Sequence, residues 1–99
     1  MVLEHVDGLT TDPLGALATY SSRSVALPRR ETSLLVLLME AVDRVVTREE
    51  IVDRVWQGAN ADPRTVDVNV YRLRSKLRTI GHPGVTTVYR RGYRLSAAA

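Results

Sequence analysis

The chain has 99 residues, the length of one ordinary domain, so we expect a single folding unit over residues 1–99 with loose ends at residues 1–7 and 96–99. The absence of cysteine excludes disulfides, thiolate zinc sites and cysteine nucleophiles. The net charge at pH 7 is only +3, but it is distributed unevenly along the chain.

Positive charge is concentrated in the last third of the sequence. Residues 1–63 carry six arginines against ten acidic residues, whereas residues 64–99 carry seven arginines and one lysine against a single aspartate. Segregation of this kind is typical of a surface that binds a polyanion. A charged, solvated helix face would give the same excess, and charge alone leaves both interpretations open.

The sequence carries no membrane signal. Its longest apolar run, residues 34–39, has six residues, and about 18 are needed to span a bilayer. Glu4 and Asp7 stand near the N-terminus in place of the basic segment of a signal peptide. These features predict a cytoplasmic protein without a membrane partner.

The first 28 residues lack helical periodicity and predict a small antiparallel sheet. Short β-prone runs occur at residues 9–11, 16–20 and 25–27. Turn-forming residues separate them at positions 12–15 and 21–24.

Two helices are predicted next. Pro28 favours the start of the first, which is strongly apolar over residues 34–42. After a short extended piece at residues 45–46, Thr47 and Glu50 predict a capping box, in which the hydroxyl accepts the Glu50 amide and the carboxylate reaches back. The second helix is expected to end near Gly58, before a loop.

A third helix is predicted from a regular apolar stripe, which comprises Val66, Val70, Leu73, Leu77 and Ile80. At about 100° per residue, the opposite face is centred on Arg64, Val68, Tyr71, Arg72 and Ser75. Arginines on such a face can form paired hydrogen bonds with guanine in the major groove, and hydroxyl groups can reach phosphates. Val68 can pack on a thymine methyl group, although a single surface valine is also ordinary.

A C-terminal hairpin is predicted from residues 85–88 and 93–95, joined by a turn in which Gly92 can adopt a positive φ. Arg90 and Arg91 lie at its tip and suit the minor groove or its phosphates. Together the pieces predict an α+β fold, a winged helix-turn-helix with a small N-terminal antiparallel sheet, a three-helix core and a C-terminal hairpin as the wing.

Residues 64–77 (RTVDVNVYRLRSKL) resemble the recognition-helix motif of OmpR/PhoB-type response regulators, R-T-V-D-V-H-I-x-R-L-R-x-K-L. Residues 45–56 are similar to the positioning helix of that family, and residues 92–95 to the end of its wing. The resemblance extends from about Gly8 to Leu95. It implies sequence-specific binding of double-stranded DNA by a bacterial transcriptional regulator of a two-component system.

The resemblance implies major-groove contacts for Arg64, Val68, Tyr71 and Arg72, and phosphate contacts for Thr65, Arg74 and Thr87. Asp67 and Arg74 are interpreted as structural, as an ion pair near the core. With the polar face of the helix and the wing included, the candidate DNA-binding residues are Arg64, Thr65, Val68, Asn69, Tyr71, Arg72, Arg74, Ser75, Lys76, Thr87, Tyr89, Arg90 and Arg91.

Three positions depart from the family pattern. The first helix lacks the aromatic residue of L-T-P-x-E-F, because Thr32 takes its place. In the wing, V-R-G-x-G-Y is replaced by residues 88–93 (VYRRGY), with Tyr89 where an arginine normally lies. Tyr71 occupies a position that is often basic. We therefore expect Arg90 or Arg91 to supply the minor-groove cation.

Further partners also follow from the resemblance. The family binds direct repeats head to tail, so we expect weak or DNA-induced dimers, and the loop over residues 57–63 can touch RNA polymerase. No receiver domain is present in these 99 residues. We therefore expect the chain to be a fragment, a stand-alone regulator or the tail of a different upstream domain. The DNA-binding domain of the actinobacterial antibiotic-regulatory activators resembles this family and is a further possibility, which predicts the same biochemistry with different neighbours.

Two other classes of function fit this sequence less well than DNA binding. An enzyme is not expected, and neither is a cofactor or metal, because His5 and His82 lack suitable partners and are interpreted as solvent-exposed. The alternative to DNA binding is a winged-helix adaptor that binds protein, since the fold also serves that role. Eight positive charges between Arg64 and Arg94 disfavour an adaptor.

Overall fold

The structure is a computed structural model that describes residues 4–12, 14, 16–42, 44–57 and 61–96. Its elements follow in chain order: the strands β1 (Glu4–Val6), β2 (Leu9–Asp12), β3 (Leu17–Tyr20) and β4 (Arg23–Ala26), the helices α1 (Arg29–Glu40), α2 (Arg48–Val55) and α3 (Pro63–Thr79), and the strands β5 (Val85–Val88) and β6 (Gly92–Leu95). This order confirms the predicted succession of sheet, three helices and hairpin.

The N-terminal sheet has four antiparallel strands in the order β1-β2-β3-β4. The prediction of a loose end over residues 1–7 was wrong for residues 4–6, because they form β1, with His5 opposite Thr10. The turn between β3 and β4 comprises only Ser21 and Ser22, at φ 50° and 68°. Two residues of positive φ match a type I′ hairpin turn, so Arg23 and Ser24, predicted as turn, belong to β4.

The C-terminal end was also predicted to be loose from residue 96. Ser96 instead donates its backbone N–H to the carbonyl of Gly84 at 2.9 Å, and its hydroxyl lies 2.7 Å from that of Thr86. These bonds extend the pairing of the hairpin by one residue. Residues 1–3 and 97–99 lie outside the described part of the chain.

Helices α1 and α2 begin where the sequence predicts. Pro28 is the N-cap of α1, and Thr47 caps α2 by accepting the Glu50 amide at 3.1 Å. The second half of the predicted capping box was wrong, because the Glu50 carboxylate forms a two-fold ion pair with Arg44 at 2.7 and 2.8 Å. A charged partner gives the stronger hydrogen bond, and it holds the carboxylate away from the Thr47 amide. The helix ends at Val55, three residues before the predicted end.

The three helices and both sheets share one hydrophobic core. The predicted stripe of α3 is confirmed, with Val66, Val70, Leu73, Leu77 and Ile80 all buried. Val46, between α1 and α2, exchanges two backbone hydrogen bonds with Tyr93 of β6, at 2.7 and 2.9 Å. The hairpin is therefore fastened to the helical core by backbone as well as by side chains.

The prediction of an exposed His82 was wrong, because this residue is only 2% exposed. Its ring meets Tyr20 edge-on at 5.1 Å, and its Nδ1 accepts the backbone N–H of Gly84 at 2.8 Å. The loop that follows α3 turns back onto the N-terminal sheet and buries the ring there. Burial lowers the pKa of His82, while the nearby charge of Asp7 acts in the opposite direction.

We expect the domain to lose stability as the pH falls below about 6.5. In the unfolded chain the His82 side chain is then protonated, whereas in the folded domain burial lowers its pKa and keeps it neutral. The midpoint of thermal unfolding, followed by circular dichroism between about pH 8 and pH 5, measures this effect. His82→Asn is the control, since its amide oxygen can accept the Gly84 N–H but does not titrate. A wild-type slope that His82→Asn leaves unchanged would assign the effect to other groups.

Candidate nucleic-acid interface

The outer face of α3 is open to solvent, as predicted. Arg64, Arg72 and Ser75 are exposed, and so are Val68, at 38%, and Tyr71, at 65%. The helix begins cleanly, because the Asp62 side chain accepts the Thr65 amide at 2.9 Å and Pro63 occupies the first position of the helix. A rigid helix thus presents two arginines, an aliphatic side chain and a phenol on one surface.

Two predicted contact residues lie on one edge of this face and are engaged within the protein. Asn69 donates its amide to the Thr65 carbonyl at 2.9 Å. Lys76 forms an ion pair at 2.6 Å with Glu31 of α1, whose carboxylate side chain is only 3% exposed. A buried carboxylate needs its counter-charge, so this ion pair gives the partly exposed Lys76 a structural role. Its contact with DNA stays a prediction.

The opposite edge of α3 faces the hairpin of residues 85–95, which we call the wing. Here Asp67, Arg48 and Tyr93 form a network: Asp67 Oδ1 accepts hydrogen bonds from Arg48 Nε at 2.8 Å and from the Tyr93 hydroxyl at 2.5 Å. The predicted ion pair of Asp67 with Arg74 was wrong, because Asp67 is bonded instead to Arg48 of α2 and Tyr93 of β6. The network therefore joins α2, α3 and the wing.

Electrostatics favour the charged form of this network. Burial acts to raise the pKa of Asp67, but the hydrogen bonds from Tyr93 and Arg48 outweigh it and lower the pKa. Burial and the adjacent carboxylate raise the pKa of Tyr93, so its hydroxyl remains a donor. Asp67 thus stays ionised at neutral pH and holds the wing against α3.

Arg74 holds the wing at a second point. Its Nε donates to the Val85 carbonyl at 2.9 Å and its Nη2 to the Thr87 hydroxyl at 2.8 Å. The structure thus brings together Arg74 and Thr87, both predicted as phosphate contacts. Each is already paired with the other, so their first role is to set the position of β5.

The tip of the wing carries a stacked pair of side chains. Tyr89 is 78% exposed, and the Arg90 guanidinium lies 5.1 Å from the centre of its ring. Arg90 adopts φ 60°, and Arg91 closes the turn by donating its backbone N–H to Val88 at 3.0 Å. All three side chains project from a hairpin whose base is fixed by the Asp67 network and by Arg74.

Sequence reasoning missed the role of Arg48 and of the corner where α1 meets the end of α2. Arg48 directly follows the Thr47 cap, and only its spatial neighbours reveal its function. At the corner, the Arg30 guanidinium lies 5.3 Å from the centre of the Trp56 ring. Trp56 is partly buried against the core cluster.

The described residues contain no group of three or more histidine, aspartate or glutamate side chains placed to hold a metal ion. No helix among them is long and apolar enough to cross a membrane.

A three-helix core, an exposed basic third helix and a hairpin packed beside it define a winged helix-turn-helix domain. The family described as "Transcriptional regulatory protein, C terminal" matches residues 22–95. The chain belongs to this family, the OmpR/PhoB-type effector domains, and the predicted resemblance is confirmed. The family is one of transcription regulators and not of enzymes.

Curated relatives are longer than this chain. The phosphate regulon transcriptional regulatory protein PhoB of Pseudomonas aeruginosa is 36% identical over 93 residues, which cover 93% of this chain and 41% of the relative. The heme response regulator HssR of Staphylococcus aureus is 34% identical over 77 residues, covering 76% and 34%. The chain thus spans well under half the length of these relatives.

Solved structures support the fold. The DNA-binding domain of CpxR from E. coli superposes with a TM-score of 0.78, at 32% identity and with full coverage of both chains. The DNA-binding domain of RstA from Klebsiella pneumoniae, solved in complex with the RstA box, gives a TM-score of 0.80 at 26% identity, covering 97% and 98%. The winged-helix prediction is confirmed.

Proposed function

We propose that this domain binds double-stranded DNA sequence-specifically as the DNA-reading part of a bacterial transcriptional regulator, with α3 in the major groove and the wing at the minor groove. The observation that carries this proposal is the placement of the free arginines. Arg64, Arg72, Arg90 and Arg91 are exposed, and none forms an ion pair with a carboxylate among the described residues. Stability does not explain four unpaired cations on one recognition surface.

Base reading falls to the centre of α3. Arg64 and Arg72 have the reach and geometry for paired hydrogen bonds to guanine, and Val68 lies between them to pack on a thymine methyl. Tyr71 and Ser75 flank this row and suit contacts to base edges or the sugar-phosphate backbone. We assign specificity to this row because its side chains have no hydrogen-bond partners in the described protein.

Phosphate contacts position the helix. Thr65, at the start of α3, and the paired Arg74 and Thr87, at the base of the wing, lie on the two sides of the base-reading row. The arginines at the wing tip then approach the adjacent minor groove. The related RstA domain has been solved in complex with the RstA box, which supports DNA binding by this fold. The chromosome of a bacterium lies in the cytoplasm, so this function places the domain there.

The proposal extends to the wider assembly. By analogy with the family we expect binding to direct repeats, dimers that form on DNA, and a contact to RNA polymerase through residues 57–63, of which residues 58–60 lie outside the described part. Sedimentation of the domain with one-site and two-site duplexes measures the first two. A stable dimer without DNA would contradict DNA-induced dimerisation, and equal complexes on one-site and two-site duplexes would contradict binding to direct repeats.

Fluorescence anisotropy with a random duplex of about 25 base pairs, between about 50 and 200 mM salt, tests the core of the proposal. We expect affinity to fall linearly with salt on a log–log plot. The adaptor alternative predicts no binding even at low salt, and the free arginines argue against it.

Arg91→Ala tests the wing. We expect weaker binding to every duplex alike. The salt slope should become smaller by about 0.9, because the variant neutralises one phosphate fewer. Arg94→Ala is the matched control, because it also removes one exposed charge but lies beside Val6, Asp7 and His82, next to the N-terminal sheet. Equal slopes for the two variants would contradict a role of the wing tip in DNA contact.

A further inference from the structure

The recognition helix is flanked on both sides by other elements. On one side the wing is attached through Asp67 with Tyr93 and through Arg74 with Thr87. On the other side the ion pair of Lys76 with Glu31 brings the first turn of α1 against α3. At about 100° per residue, Lys76 lies only about 40° around α3 from Arg72. The first turn of α1 therefore borders the base-reading row on the side away from the wing.

Arg29 and Arg30 occupy this first turn, and we call them the basic corner. Arg30 is held in place: its guanidinium lies 5.3 Å from the Trp56 ring centre, and its Nη1 is 3.5 Å from the Val55 carbonyl. Arg29 and Arg30 line the same cleft of about 130 Å³. The end of α2 thus orients a cationic surface next to α3.

The charge of this corner is not neutralised by the described residues. Glu31 is occupied by Lys76, and Glu40 lies near Arg54, at 3.6 Å. Arg29 and Arg30 are exposed and form no ion pair with a described carboxylate. The helix dipole disfavours cations in the first turn of a helix. The Trp56 ring and the Val55 carbonyl offset this cost for Arg30, whereas Arg29 has no described ion pair or side-chain hydrogen bond that offsets it. Violations of a local rule are expected at functional sites.

We propose that Arg29 and Arg30 contact DNA phosphates on the side of the major groove opposite the wing, with the Trp56 ring supporting Arg30. The inference rests on the proposed function and extends its interface. A major groove about 12 Å wide is bordered by two backbones. The wing and Arg74 would contact one of these backbones, and the basic corner would contact the other. DNA is the expected occupant because the basic corner continues the base-reading row and its positive charge is unpaired.

Arg30→Ala tests the proposal in the full chain, with anisotropy on random duplexes over the salt series. We expect the salt slope to fall by about 0.9, so that the ratio of affinities at about 50 and 200 mM salt shrinks about 3-fold. The double variant Arg29→Ala with Arg30→Ala should lose about twice that slope. Arg30→Lys should retain the slope, because charge and not the flat guanidinium governs counterion release.

Ethylation interference then locates the contact. In the wild type we expect interference at phosphates of the strand beyond the α1 side of the site, and in Arg30→Ala we expect that interference to disappear. Arg94→Ala is the control for charge alone, and thermal unfolding checks that each variant is folded. A variant that unfolds is replaced by Arg29→Ala, whose side chain makes no hydrogen bond to a described residue.

The outcomes separate this inference from the proposed function. No DNA binding by the wild type would overturn both. In a second outcome, the wild type and Arg91→Ala behave as expected while Arg30→Ala has the same salt slope as Arg94→Ala. That result would overturn the proposed role of the basic corner and leave the proposed function intact. In that case the cationic surface serves an acidic protein partner in place of DNA.

Discussion

Replacement of Arg72 by alanine is expected to weaken binding to the cognate operator by about 1–3 kcal/mol, which is about 5-fold to 150-fold, and to relax selectivity at one base pair. Arg72 lies at the exposed centre of α3 and forms no ion pair with a described residue, so its guanidinium is free to pair with one guanine. Random duplexes lack that guanine in most positions and should lose far less affinity.

The measurement needs an operator, obtained by selection from a randomised duplex library with the wild-type domain. Competition of single-base variants then gives the selectivity at each position for wild type and Arg72→Ala. Arg72→Lys is the matched variant, because it keeps the charge but loses the two-pronged geometry. An equal loss on all sequences would assign Arg72 to a phosphate and would contradict base reading.

Periodic features of this fold could be predicted from sequence because they depend on local chemistry. The apolar stripe of α3 repeats at the helical period, and the exposed face with Arg64 and Arg72 follows from it by geometry alone. The Thr47 cap was likewise found from two residues three positions apart. Strand β1 was missed, since three residues carry no detectable alternation and are fixed by pairing with β2.

Partners distant in sequence could not be predicted. Asp67 meets Arg48 and Tyr93, which are 19 and 26 positions away. Lys76 meets Glu31 across 45 positions. On a helical wheel Lys76 is an edge cation like any other, and only the packing of α1 against α3 reveals its buried counter-charge. His82 was misassigned for the same reason, because the sheet that covers it lies at the other end of the chain.

Among the described glycines, Gly92 has the closest backbone neighbour, and its substitution is expected to cause the largest loss of stability. Gly92 begins β6 at φ 145°, and a Cβ placed there would overlap the carbonyl oxygen of Val46 and lie 2.9 Å from its carbonyl carbon. Gly92→Ala must therefore push β6 away from residues 46–47. This breaks the two hydrogen bonds between Val46 and Tyr93, at 2.7 and 2.9 Å.

We expect Gly92→Ala to lower the free energy of unfolding by about 2–5 kcal/mol, the sum of backbone strain and two lost hydrogen bonds. For a domain of this size the unfolding midpoint should fall by about 10 °C or more. Because the wing is fastened by this bridge, the folded fraction should also lose the contribution of Arg90 and Arg91 to the salt dependence of DNA binding.

Gly81→Ala isolates the cause. Gly81 also has a positive φ, at 91°, but a Cβ there meets no atom within 4 Å. Its substitution should cost only the conformational penalty of a positive φ, about 1–2 kcal/mol. Chemical denaturation gives the free energy of unfolding of each variant. The difference between the two losses measures the energetic importance of the close approach of Val46 and Gly92. Losses of equal size would show that positive φ, and not the contact between the wing and the segment before α2, makes Gly92 necessary.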